Sequence, residues 1–320
     1  MKKKNENMKK MSFLSVCLLC LLVLPARAEV TPVDTIPFEL GADKRLYVTV
    51  YINGQDDRPL RFLLDTGATD VVLNSNSPRT EGLAAFTESV ENNSANSVET
   101  IPSTESSQVV RMGSRAISGL KLIAIPYPPD AWDGVLGLSY LRNFDVRIDY
   151  RRKSIFLYEL GDGQKAVSDK AVRLKMDYRL GVPVVPVGVK VNGVDYQVSV
   201  AVDTGSDRVF DLNTPFVRRN GLLDTQKPFA ISRIAGTVKD GGELQNVYFD
   251  SVSLDWLALP RIPGAFSTVT TGVQASEAMD GVLGNNFLQR FNQLYDFKNN
   301  DLYLEVNDRL YTPFYDFLVR

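Results

Sequence analysis

Histidine is absent from the 320-residue sequence, and cysteine occurs only twice, as Cys17 and Cys20. Without histidine there is no Ser-His-Asp or Cys-His nucleophile and no His-based zinc centre. Long apolar runs are scarce too. The one run near the N-terminus, Met11 to Leu24, is 14 residues, short of the roughly 20 a membrane-spanning helix needs. It lies between Lys2, Lys3, Lys4, Lys9 and Lys10 and the triplet Ala26-Arg27-Ala28, the pattern of a cleaved export signal over residues 1–28. Val16 and Leu19 before the two cysteines do not suit a lipid anchor. Loss of the signal leaves no cysteine at all. That excludes a disulfide framework and Cys-based metal sites and leaves stability to packing. The expectation is an exported protein, periplasmic or secreted, with no metal, no cofactor and no stable membrane insertion once the signal is gone.

Excess positive charge is also lacking. The full chain carries 36 Lys and Arg against 38 Asp and Glu. Removing five lysines, Arg27 and Glu6 with residues 1–28 leaves 30 against 37, a net charge of −7. Such a balance offers no basic footprint for nucleic acid and no polybasic patch for a membrane surface. At 44% hydrophobic and 10% aromatic residues the composition is that of a globular chain, long enough for one large or two mid-sized domains. Carboxylates are then the obvious acid-base groups.

What is present is a duplication. In one half Leu46 to Ile52 alternates in strand fashion, Asn53-Gly54 makes a turn, and Leu60 to Leu64 leads into Asp65-Thr66-Gly67-Ala68. In the other, Val184 to Val191, the turn Asn192-Gly193 and Val198 to Val202 lead into Asp203-Thr204-Gly205-Ser206. Asn-Gly between apolar runs is a hairpin signal. Asp133-Gly134-Val135-Leu136-Gly137 recurs as Asp280-Gly281-Val282-Leu283-Gly284. Each is followed by a short helical stretch and a closing hairpin. Short strands with polar turns and no long amphipathic period predict an all-β, bilobal protein, one lobe over residues 29–162 and the other over 163–320, with 161–171 as the connection.

A single Asp-Thr-Gly is weak evidence; two in matching contexts are not. Each aspartate ends an apolar strand, where a charge is costly unless its site supplies partners. Threonine offers a hydroxyl, and glycine a tight turn that brings backbone N–H groups to the carboxylate. The plainer reading is a pair of strand-end turns stabilised by Asp side chains.

In these motifs the sequence resembles the two-lobed aspartic proteases, closest to the bacterial retropepsin-like relatives of the pepsin and retroviral protease families. Asp65-Thr66-Gly67-Ala68 and Asp203-Thr204-Gly205-Ser206 match the catalytic motif; Val135-Leu136-Gly137 and Val282-Leu283-Gly284 match the motif that packs behind each catalytic loop. The likeness spans roughly residues 37–306. It implies a pseudo-twofold pair of β lobes whose loops meet in a central cleft, cross-braced by Thr66 and Thr204. It also implies an endopeptidase in which Asp65 and Asp203 share a proton and activate water, acting on polypeptides with one chain sufficing. A hydroxyl after the motif is expected to donate to the neighbouring acid, which Ser206 can do for Asp203 and Ala68 cannot do for Asp65.

The region 87–108 departs from the family pattern. It is glycine-free, rich in Ser, Asn, Thr and Glu, without the Tyr of a pepsin-like flap, and reads as a mobile surface loop. Ile234, Ala235, Gly236, Gly241 and Gly242 read instead as a movable hairpin, so closure over substrate is expected from the second half. The runner-up function is a silent binder of peptide or cell-wall material on the same fold; a two-carboxylate glycosidase, whose acids stand at least about 5 Å apart, fits less well. Trp132, Trp256 and the aromatic end 311–317 are expected to pack in the core or between lobes. Asp133 and Asp280 are expected to hold turns and Asp149 and Asp296 to face solvent, with no role for Asp70 and Asp207.

Overall fold

The structure, a computed structural model, describes residues 30–235 and 240–314. The expected export signal, Gly236 of the candidate flap, and residues 315–320 lie outside the described residues.

The duplication is visible as three sheets. Ten strands build the first lobe and eight the second, and a six-stranded sheet takes three strands from each half. In each lobe the strand that ends at the Asp-Thr-Gly loop lies parallel to the Val-Leu strand of the second repeated motif. Leu60–Leu64 pairs with Gly134–Leu136, and Val194–Asp203 with Gly281–Gly284. A further strand, Val71–Asn74 or Phe210–Leu212, flanks it antiparallel. Where they meet, behind the two loops, these strands are mostly buried, although Val194–Asp203 starts out exposed and polar. Asp133 and Asp280 act as expected: their carboxylates accept the backbone N–H of Arg61 at 2.8 Å and of Ser199 at 3.0 Å, at matching places in the two lobes.

At the centre of the six-stranded sheet, Asp145–Asp149 pairs antiparallel with Phe291–Asp296. The register sets Arg147 opposite Leu294. These two residues are duplicates of each other at the 147-residue offset of the second repeated motif, so the pseudo-twofold axis passes through this pair. A salt bridge between Arg147 and Glu305 at 2.7 Å, both half-buried, ties the halves further.

Several expectations are corrected. The region 87–108 is not a structureless loop. Glu88–Asn93 and Val98–Ser103 form a six-pair antiparallel hairpin. Its alternation is hard to read because only the Val90–Ile101 pair faces apolar core, while Val98 is exposed and most other positions are polar. Asp149 and Asp296 do not face solvent but are buried; each caps its hairpin turn, accepting the N–H of Arg152 and of Asn299 at 2.9 Å. Trp256 and Tyr311 are not packed, being 61% and 91% exposed.

Asp296 also accepts from the Asn299 side chain at 2.8 Å. Its replacement by Ala removes two hydrogen bonds made by a buried carboxylate to the hairpin turn, and we expect Asp296→Ala to destabilise the fold by about 1–3 kcal/mol. Urea denaturation checks this; a change within about 0.5 kcal/mol is what a solvent-facing residue would give.

Candidate active site

Each Asp-Thr-Gly loop leaves its strand at the same level, and the two meet on the pseudo-twofold axis. Thr66 and Thr204 are buried and exchange hydrogen bonds. The Thr66 N–H donates to Thr204 Oγ1 at 3.0 Å and the Thr204 N–H to Thr66 Oγ1 at 3.1 Å. Each hydroxyl then donates to the carbonyl before the opposite aspartate, Thr66 to Val202 at 2.7 Å and Thr204 to Leu64 at 2.9 Å. This is the cross-brace the threonines were expected to make.

The brace puts the two carboxylates against each other. Asp65 and Asp203 each lie against the glycine of the opposite loop and are close enough for each to shift the titration of the other. Glycine is required at the third motif position because the opposite acid occupies the space of a side chain. A Cβ on Gly67 would lie 2.6 Å from Asp203 Cγ, and one on Gly205 would fall inside the Asp65 carboxylate. Backbone donors complete the site: Gly67 N–H to Asp65 at 2.7 Å and Ser206 N–H to Asp203 at 2.9 Å. The Ser206 hydroxyl departs from expectation. Its oxygen accepts from Arg208 N–H at 3.2 Å, and the contact to Asp203 runs through the Ser206 backbone instead.

Both acids are half-exposed by surface, yet the surrounding walls strip most of their water. Desolvation raises both above the ordinary carboxylate range. On Asp65 that rise is opposed by the Gly67 N–H, the bond from Asp203, the Arg45 charge and the Ala68 N–H. On Asp203 it is reinforced by the charge of Asp65 and by donation to it, with the Ser206 and Gly205 N–H groups opposing. The pair therefore shares a proton, and the Arg45 charge favours the ionised form of Asp65.

Arg45 escaped the sequence reading. No pattern separates it from other basic residues at strand starts; only the fold sets it beside the acids. Its Nε donates to Asp43 at 2.8 Å, and its guanidinium lies 4.9 Å from the Trp132 ring centre. Trp132 packs on Tyr47 and Tyr127 against the hydrophobic cluster of the first lobe, as expected of a packing residue. Below the loops, buried Tyr295 donates to Gln293 at 2.7 Å, Gln293 to Tyr150 at 3.1 Å, and Tyr150 to Asn285 at 2.5 Å. The candidate flap in the second half has its stem as a hairpin, Ala230–Ala235 with Asp240–Leu254, which includes Ile234, Ala235, Gly241 and Gly242. Among the described residues no group of three or more His, Cys, Asp or Glu could hold a metal ion.

Residues 48–143 match the family described as gag-polyprotein putative aspartyl protease. The structure of an aspartic proteinase from Irpex lacteus matches across both lobes, at TM-score 0.56 and 12% identity, covering 87% of this chain and 98% of that one. The first lobe thus matches a family of aspartyl proteases, and both lobes share the fold of an aspartic proteinase. Curated sequences provide no match. The all-β bilobal fold is as the resemblance implied.

Adding one carbon at the third motif position should dismantle the carboxylate pair. Gly205→Ala is expected to lower stability by about 1–3 kcal/mol through overpacking and to leave less than a hundredth of any peptidase turnover. A variant with unchanged melting temperature and turnover would show that the loops yield freely.

Proposed function

We propose that the protein is an aspartic endopeptidase that hydrolyses peptide bonds with a water molecule activated by Asp65 and Asp203, acting on exported or extracellular polypeptides. The observation that carries this reading is the pair of carboxylates brought together by the reciprocal threonine bonds, each filling the space left by the opposite glycine. Like charges so close cannot both ionise, so one acid serves as base while the other serves as donor. Asp65, with the Arg45 charge and two backbone N–H groups around it, takes a proton from water as its oxygen attacks the scissile carbonyl. Asp203 gives its proton to the carbonyl oxygen, and a neutral gem-diol forms. On collapse the proton held by Asp65 passes to the departing amine, a diol proton returns to Asp203, and the C–N bond breaks. No metal or nucleophilic side chain enters, which accounts for an enzyme without histidine. Because both acids belong to one chain, a monomer suffices.

Asp65→Asn and Asp203→Asn should each reduce kcat by several orders of magnitude on an unfolded polypeptide. Residual turnover near the wild-type level in either variant would refute the mechanism. The rate should hold into mildly acidic pH and fall on the alkaline side as Asp203 loses its proton. Stability follows the same sign. A carboxyl whose folded pKa is raised contributes most when protonated, below its unfolded pKa, and loses that contribution as pH rises through the folded value. Asp203→Asn should thus melt higher than the wild type at neutral pH, with the gap closing on acidification. Melting curves across pH decide this; a gap that widens towards acid contradicts it.

The export signal belongs to the same proposal. Protein recovered from producing cells should begin at Glu29 and fractionate outside the cytoplasm. N-terminal sequencing that finds Met1 in the active protein would remove this part.

A further inference from the structure

The first-lobe hairpin does not end in solvent. Val90 and Ile101 pack it onto the cluster that carries Ala68, Tyr127 and Trp132, beside Asp65. From there it crosses to the other lobe. The carbonyls of three successive residues at its tip are taken by second-lobe donors: Val273 N–H to Ser94 at 2.9 Å, Gln274 N–H to Ala95 at 3.0 Å, and the Thr271 hydroxyl to Asn96. Ser94 and Asn96 are buried in consequence. Val273 belongs to the cluster of Val184, Ala201 and Val282, the second-lobe counterpart of the one beneath the hairpin. The bridge therefore runs from the cleft side of one lobe to the cleft side of the other.

The receiving segment is built for this contact. Gly272 has φ 74° and ψ −163°, a conformation open essentially to glycine alone. A Cβ there would lie 2.5 Å from both Ser94 O and Ser97 N. The segment is anchored in its own lobe: the Asn213 side chain donates to Val273 O at 3.0 Å, and Gln274, 2% exposed, donates to Asp211 at 3.4 Å. Asp211 in turn pairs with Arg208, five residues beyond Asp203. The hairpin tip, by contrast, reaches the second lobe through hydrogen bonds from residues 271–274, and these can be exchanged for water.

We propose that residues 271–274 are a latch for the first-lobe hairpin and that this latch determines which substrates are cleaved. The dyad accepts a single extended strand once the tip is released, and excludes the loops of folded proteins, which are too bulky to pass beneath the bridge. The proposal rests on the peptidase reading of Asp65 and Asp203. Roofing segments that open and close are drawn from the less stable parts of a structure.

Two variants test it, Gly272→Ala, which collides with the tip, and Thr271→Val, which only removes the hydroxyl donor. Amide hydrogen exchange is read at Val273 and Gln274, and kcat/KM is compared for one protein substrate in its folded and its unfolded form. The wild type should show both amides protected and prefer the unfolded form at least tenfold. Gly272→Ala should raise exchange at both amides at least tenfold and narrow the preference, and Thr271→Val should do the same to a smaller degree. Wild-type amides exchanging as fast as exposed ones would overturn the latch. So would fast exchange in the variants with an unchanged substrate preference. If no form cleaves either substrate while the amides stay protected, the peptidase reading fails, and the selection built on it fails too, although the contact itself stands.

Discussion

The reciprocal hydrogen bonds of Thr66 and Thr204 are the constraint from which the rest of the molecule follows. Four hydrogen bonds join three buried groups on each side, the threonine N–H, its hydroxyl and the carbonyl before the aspartate, and leaving any of them unpaired would cost about 1–3 kcal/mol. The bonds use backbone and hydroxyl groups alone. The carboxylates are thus held together by a frame that does not depend on their own charge, and a pair of like acids can be kept desolvated. The same axis emerges at the opposite face of the molecule between Arg147 and Leu294. Loops and sheet are registered to one another at both ends.

A perfect twofold would give both acids equal claim to the shared proton. This chain is not a perfect twofold, and its departures fall around the site. Arg45 places a cation near Asp65, while Asp203 faces the charge of its neighbour. Beneath the loops the second half contributes Gln293 and Tyr295 where the first has Val146 and Ile148. A duplicated chain can vary one copy without the other, which a symmetric dimer of identical chains cannot. Here that freedom makes the surroundings of the two acids unequal.

Where the sequence repeats itself, its reading and the structure agree. The paired motifs, the Asn-Gly hairpins, the closing hairpins and the turn-holding roles of Asp133 and Asp280 were all legible because each has a local signature that occurs twice. What escaped notice has no such signature. The hairpin at 88–103 hides its alternation because one face meets polar surroundings and its turn is built from serines rather than glycine. Asp149 and Asp296 look like ordinary turn acids until the six-stranded sheet buries them. Ser206 could be matched to Asp203 by position, but which of its atoms makes the contact depends on Arg208, whose backbone N–H takes up the hydroxyl oxygen. Arg45 and residues 271–274 matter through neighbours on other elements, which no local pattern announces.

Gly67 and Gly205 each vacate the space that the other half's aspartate fills. The two motifs, though 138 residues apart, are therefore one unit of inheritance. A side chain gained in one copy displaces the acid of the other, and no compensating change within the altered copy restores the space. Gene duplication ordinarily frees one copy to drift, but here the copies lost that freedom at the glycines while keeping it a few residues away, at Ala68 and Ser206. Divergence between the lobes is thus confined to the periphery of the site, and the centre stays twofold however far the rest of the chain departs from it.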